Sequence, residues 1–117
     1  MGRLSTHVLD TVNGKPAHGV AIELFAIEGE KRRSVVRTTT NADGRTDAPL
    51  MIADAFHTGT YELVFAVGAY FTSVGTATAD PPFLDVVPIR FTIADPDGHY
   101  HVPLLVSPWS YSTYRGS

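Results

Sequence analysis

The 117-residue chain contains no cysteine, which excludes disulfides, thiolate metal sites and cysteine nucleophiles at once. That absence fits a reducing cytosol, although it does not by itself fix the compartment. No apolar run is long enough to span a membrane, and Met1–His7 carry neither an apolar h-region nor a small-residue cleavage site. Basic residues form no stripe. The net charge of −3 is spread along the chain, and Lys31-Arg32-Arg33 reads as a solvated hairpin end. Phosphate neutralisation needs clustered Lys and Arg, so nucleic-acid binding is not expected. There is no repeat, linker or low-complexity segment, and the length suits one domain over residues 1–117. A domain of this size buries only about two-thirds of its unfolded-chain surface, so oligomerisation would be a useful supplement.

What the chain does have is alternation. Between Leu4 and Thr11, Leu4 and Val8 face one way while Ser5, His7 and Leu9 face the other. Thr11-Val12-Asn13-Gly14-Lys15-Pro16 is turn chemistry, because Asn-Gly favours positive φ and proline cannot donate to a ladder. Val20, Ile22, Leu24 and Ala26 form an apolar face; Glu28-Gly29-Glu30 is a hairpin tip, and Ser34–Thr40 a β-branched partner strand. Arg45 follows the turn Asn41-Ala42-Asp43-Gly44, and a looser segment with room for a short strand runs on to Asp54. Tyr61, Leu63, Phe65 and Val67 share a face; Gly68–Thr76 lacks alternation and reads as a short helix. Val87, Ile89, Phe91 and Ile93 make another face, on a strand that Pro88 places at an edge or irregularity. From His99 to Ser107, Tyr100, Val102, Leu104 and Val106 point to the core, and Trp109–Arg115 reads as a final strand. Seven or eight strands in this length argue for an antiparallel, all-β sandwich.

Chemistry-bearing residues are few. Three of the five histidines, His7, His99 and His101, lie on strands and point away from the face that packs the sandwich. A histidine on a solvent-side face is usually bland, but an oligomer that covers its outer faces would enclose these. His99 and His101 project from one strand face, a candidate metal pair that lacks a third ligand at any recognisable spacing. Acid–base work is the more economical use, since imidazole titrates near neutrality. Arg45, just past a tight turn, is commonly a surface charge; functionally it would anchor a planar anionic substrate through its guanidinium fork. The tail Tyr111–Ser117 continues strand-like almost to its last residue, as if docked.

Three segments resemble the signatures of the transthyretin-like 5-hydroxyisourate hydrolases: Leu4-Ser5-Thr6-His7-Val8-Leu9-Asp10-Thr11, His99-Tyr100-His101-Val102-Pro103-Leu104-Leu105, and Tyr114-Arg115-Gly116-Ser117. The Gly14–Ala17 and Asp43–Arg45 turns and Gly59–Leu63 match as well, in order along the whole chain. The resemblance implies a transthyretin-like (prealbumin-like) sandwich of two four-stranded sheets with one short helix. It also implies a homotetramer, a dimer of dimers, with the site in the channel between subunits. Carried over residue by residue, it implies His7, Arg45, His101 and Tyr114 as catalytic and His7, Arg45, Tyr114 and Ser117 as substrate-binding. Arg115 accompanies the terminal motif, and His99 takes a supporting role. The implied reaction is hydrolysis of 5-hydroxyisourate to 2-oxo-4-hydroxy-4-carboxy-5-ureidoimidazoline, on the path from urate to allantoin, with no metal or cofactor. The alternatives are a transthyretin-type carrier of a small ligand and a structural sandwich domain. The expected location is the bacterial cytosol. A peroxisomal relative is the other option, although Arg115-Gly116-Ser117 matches a Ser-Lys-Leu address poorly.

Overall fold

The computed structural model describes residues 1–117. In chain order its strands are β1 (Arg3–Ser5), β2 (Val8–Asp10), β3 (Lys15–Pro16), β4 (Ala21–Glu28), β5 (Lys31–Thr39), β6 (Met51–Ile52), β7 (Gly59–Phe65), β8 (Val87–Ile93), β9 (His99–His101), β10 (Leu104–Val106) and β11 (Tyr111–Ser112). A 3₁₀ turn covers Ala53–Ala55, and helix α1 (Val67–Ser73) follows β7. One layer is the antiparallel sheet β5-β4-β7-β8. The other consists of β6-β1-β9 and β11-β10-β2-β3, joined where β1 runs on into β2 and β9 into β10 as successive halves of two long strands. Residues of both layers belong to one apolar cluster, so the layers share a core.

The alternation determines which side chains enter that core. Val20, Ile22, Leu24, Tyr61, Leu63, Phe65, Val87, Ile93, Leu104 and Val106 are all buried. Proline 88 sits on the edge strand of its sheet, where a missing N–H costs no ladder bond. Three features go beyond period two. First, the sandwich is not antiparallel throughout: β1 pairs parallel to β9, and β2 parallel to β10. Second, Lys15 and Pro16, within the expected turn, pair with Asp10 and Leu9 as β3. Third, the expected strand over Trp109–Arg115 shrinks to Tyr111–Ser112. Ser107 folds the preceding residues into a turn, its Oγ accepting from the Trp109 and Ser110 amides.

The long strands break where their hydrogen bonds are diverted. Buried Thr6 donates its hydroxyl to the Val102 carbonyl at 2.7 Å, and Pro103 has no N–H. The ladder still continues on either side, from Val102 N to Ser5 O and from Leu104 N to His7 O, both 2.9 Å. Inward and outward positions therefore keep their phase across the break. The helix ends at Gly75 (φ +77°), with Thr76 N bonding Phe71 O and Gly75 N bonding Thr72 O, a Schellman closure.

A buried carboxylate ties this helix to β2. Asp10 Oδ2 accepts from Tyr70 Oη and Asn13 Nδ2, each at 2.7 Å, and Oδ1 accepts from the Val12 and Asn13 amides. Burial alone would raise the Asp10 pKa, but these hydrogen bonds, those from Asn13 foremost, hold it below the usual carboxylate range. Burial, and then the bond to Asp10, pushes the Tyr70 phenol far upward.

The expected basic hairpin end is laced into ion pairs. On the far face of the β5-β4-β7-β8 sheet Arg32 reaches Glu62 and Arg37 reaches Glu23, and at the hairpin end Arg33 reaches Glu28. The Arg32 guanidinium also covers the Phe25 ring at 4.1 Å.

Candidate active site

The parallel register places Arg3 opposite His99 and Ser5 opposite His101. Successive outward positions of β1 and β9 thus form one polar strip. Ser5 Oγ lies 2.9 Å from His101 Nδ1, a bond in which either atom can donate depending on the imidazole tautomer. On the other side of the ring, Gly116 pairs with His101 as an isolated antiparallel bridge. A Cβ on Gly116 would fall 3.1 Å from both Cβ and Cδ2 of His101, so the tail approaches this closely because position 116 has no side chain.

A second loop delivers Arg45. Asn41 Oδ1 accepts from the Asp43 and Arg45 amides, and Asn41 N donates to the Arg45 carbonyl at 2.7 Å, which locks the turn. The turn presses on the N-terminal strand: Val8 N donates to Gly44 O at 2.8 Å, and any Cβ on Gly44 would collide with the Val8 carbonyl. Gly44 also has φ +73°, the left-handed region that favours glycine. The neighbouring Asp43 carbonyl accepts from His7 Nε2 at 2.8 Å. Because a carbonyl only accepts, that nitrogen carries the proton.

Arg3, Ser5, Arg45, His99, His101 and Ser117 line a polar cleft of about 290 Å³. Neither Arg3 nor Arg45 makes an ion pair with a carboxylate. His7 stands beside the cleft, close enough for its charge to bear on His101. Burial pushes the His101 pKa below the ordinary histidine value, and the charges of Arg45 and His7 push it further. Burial also depresses His7, with Arg45 adding to the effect and the Asp43 carbonyl opposing it. Both rings are thereby favoured as neutral bases near pH 7. The arrangement offers a proton acceptor, a cation for developing negative charge and a tail that walls one side. No group of three or more histidine and carboxylate side chains is placed to hold a metal ion.

The structure thus brings His7, Arg45, His101 and Ser117 together, with His99 at the rim. Tyr114 is 59% exposed and lines a separate groove beside β8, with Phe91 and Thr92. Arg115 turns away from the cleft, its guanidinium 4.4 Å from the Tyr100 ring and Nη2 3.4 Å from His99 O. Sequence reasoning did not single out Ser5, Arg3 or the Asp43 carbonyl. Period two already put Arg3 and Ser5 on the face of His7. Which strand lies beside them depends on a pairing 96 residues away in the chain.

The chain is a β-sandwich that gathers titratable side chains on the outer side of one layer. A family model described as the HIUase/Transthyretin family matches residues 4–116, and the chain belongs to that family. It is 60% identical over 116 residues to 5-hydroxyisourate hydrolase 2 of Rhizobium meliloti, covering 99% of this chain and 97% of that protein. Among solved structures, the 5-hydroxyisourate hydrolase of Klebsiella pneumoniae superposes with a TM-score of 0.81 at 38% identity, covering all of both chains. An (S)-allantoin synthase matches with a TM-score of 0.94 at 51% identity over 99% of this chain; the chain spans 44% of that longer protein. The transthyretin-like sandwich with one short helix, implied by the resemblance, is the observed fold.

Proposed function

We propose that the chain hydrolyses 5-hydroxyisourate, opening its ring to 2-oxo-4-hydroxy-4-carboxy-5-ureidoimidazoline on the way from urate to allantoin. The observation that carries this reading is that Arg45 and His101 line one cleft with His7 beside it, in a chain 60% identical to a 5-hydroxyisourate hydrolase over nearly its whole length. The chemistry is hydrolysis of a cyclic amide. Water oxygen bonds to a ring carbonyl carbon as a neutral imidazole takes its proton. Arg45 faces the oxyanion that forms. The C–N bond then breaks, the departing nitrogen takes the proton back from the imidazolium, and the new carboxyl group ionises. No covalent nucleophile, metal or cofactor enters these steps.

Ser117, at the cleft wall, binds substrate, and His99 supports the site from the rim. Tyr114 points out of its own protomer's cleft, so its part in catalysis requires assembly. In this reading the protein is a homotetramer, a dimer of dimers, and Tyr114 closes the pocket where protomers meet. An isolated protomer is then inactive. The protein works in the bacterial cytosol; no helix is long and apolar enough to cross a membrane.

The test is to generate 5-hydroxyisourate from urate with urate oxidase and follow its ultraviolet decay with and without the protein. A rate equal to the spontaneous one ends the hydrolase reading. Saturable binding without turnover would instead favour a carrier.

A further inference from the structure

The geometry points to Ser5 as a positioning residue that holds His101 in the tautomer with a bare Nε2, which makes His101 the base that activates water. This inference rests on the hydrolase reading and assigns the proton acceptor within it. The two histidines differ in what their bonded nitrogens require. His7 gives its distal nitrogen, Nε2, to the Asp43 carbonyl, which can only accept, so that nitrogen is protonated and occupied. His101 is held at the proximal nitrogen, Nδ1, by the Ser5 hydroxyl at 2.9 Å. No protein group hydrogen-bonds its Nε2, and the ring lines the cleft.

A hydroxyl can donate or accept, so the direction of the Ser5–His101 bond is decided by the surroundings. Arg45 bears electrostatically on this ring, and the cleft contains Arg3 as well. A positive field favours a lone pair facing the cleft over an N–H. Nε2 is then bare, Nδ1 carries the proton and donates it to Ser5 Oγ, and the serine hydrogen is free to point to solvent. The same bond survives when Nε2 takes a proton from water, because Nδ1–H is unchanged. Ser5 thus fixes the reactive nitrogen without taking part in bond making. Gly116 lies against the opposite, Cδ2 edge of the ring and bridges the His101 backbone.

The experiment combines kinetics with nitrogen chemical shifts of histidine-labelled protein, using the full chain. At pH 8 the His101 shifts should report Nδ1 protonated and Nε2 bare. A wild-type Nε2–H tautomer overturns the proposal. Ser5→Ala should lower kcat by about ten- to a hundredfold with KM changed less than about twofold, the scale typical of groups that orient a histidine. It should also move the acid limb of the pH–rate profile to lower pH, since the imidazolium loses an acceptor. Ser5→Thr keeps the hydroxyl and should recover most of kcat, whether or not Ser5→Ala is well folded. An S5A protein with unchanged kcat and acid limb also overturns the proposal. A wild-type protein inert towards 5-hydroxyisourate defeats the hydrolase reading instead, and leaves the tautomer to the nitrogen shifts alone.

Discussion

Gly116 and His101 exchange backbone hydrogen bonds in both directions, His101 N to Gly116 O at 3.2 Å and Gly116 N to His101 O at 2.7 Å. Through this bridge the tail becomes part of the site. It also sets how near the residue at position 116 stands to the imidazole.

A branched side chain at that position must displace either the tail or the ring. Gly116→Val should therefore lower kcat by about tenfold or more, the cost of a misplaced catalytic group, while leaving the core untouched. Steady-state kinetics beside a urea titration separate the two effects. Equal losses in activity and stability would count against the assignment.

Arg45 acts on charge in two ways, and both can be measured. Arg45→Ala should reduce kcat/KM by about a hundred- to a thousandfold, as for loss of an oxyanion partner. It also removes a cation that depresses both histidines, so their pKa values rise towards the ordinary range. The imidazoles are then protonated at higher pH, and the acid limb of the residual pH–rate profile should move up. A limb that stays in place would show that neither histidine is the titrating base.

The turn before Arg45 has no room for a side chain at Gly44. Gly44→Ala adds left-handed strain at φ +73° and a clash with the Val8 carbonyl. It should cost more than about 1 kcal/mol of stability and lower activity as well, since Asp43 and Arg45 flank the displaced residue. Denaturant unfolding and the ultraviolet assay on the same sample test both.

The clamp between helix and sheet is a stability element remote from the chemistry. Tyr70→Phe removes one donor from the buried Asp10 carboxylate and should cost about 1–3 kcal/mol, with kcat nearly unchanged. An equal stability of the variant would show that Asn13 and the two amides suffice.

Stability should also fall on mild acidification. The folded pKa values of His7 and His101 lie below the reference of 6.5, so the unfolded chain binds protons first as pH drops. Stability contributed by the neutral rings is complete above 6.5 and is lost between that value and the lower folded pKa values. The Asp10 contribution is lost at lower pH, since its folded pKa lies below the reference of 3.8. Urea midpoints at pH 8 and pH 5 should differ for the wild type, and less for a His7→Asn/His101→Asn double variant.

Much of this molecule is written in local pattern. Alternation is enough to bury Ile22, Leu24, Leu63, Phe65 and Leu104, because side chains two apart on a strand share a face and apolar surface leaves water. The same rule turns Ser5, His7 and His101 outward even though β1 and β2 are separate strands. The turn at Asn41–Gly44 is legible from its Asx and glycine chemistry, and the edge position of β8 from Pro88.

Pairing across long stretches of chain is a different matter. No local propensity encodes that β1 runs parallel to β9, that the register sets Ser5 against His101, or that the Gly44 carbonyl takes the Val8 amide. Those choices emerge when the whole core closes and every buried amide must find a partner. The sequence by itself determined which residues face the core and which outward side chains titrate near neutrality. Only the tertiary structure decided which of them meet: it joined Arg45 and Gly116 to His101 and turned Tyr114 towards a different groove, because hydrogen-bond satisfaction is settled in three dimensions.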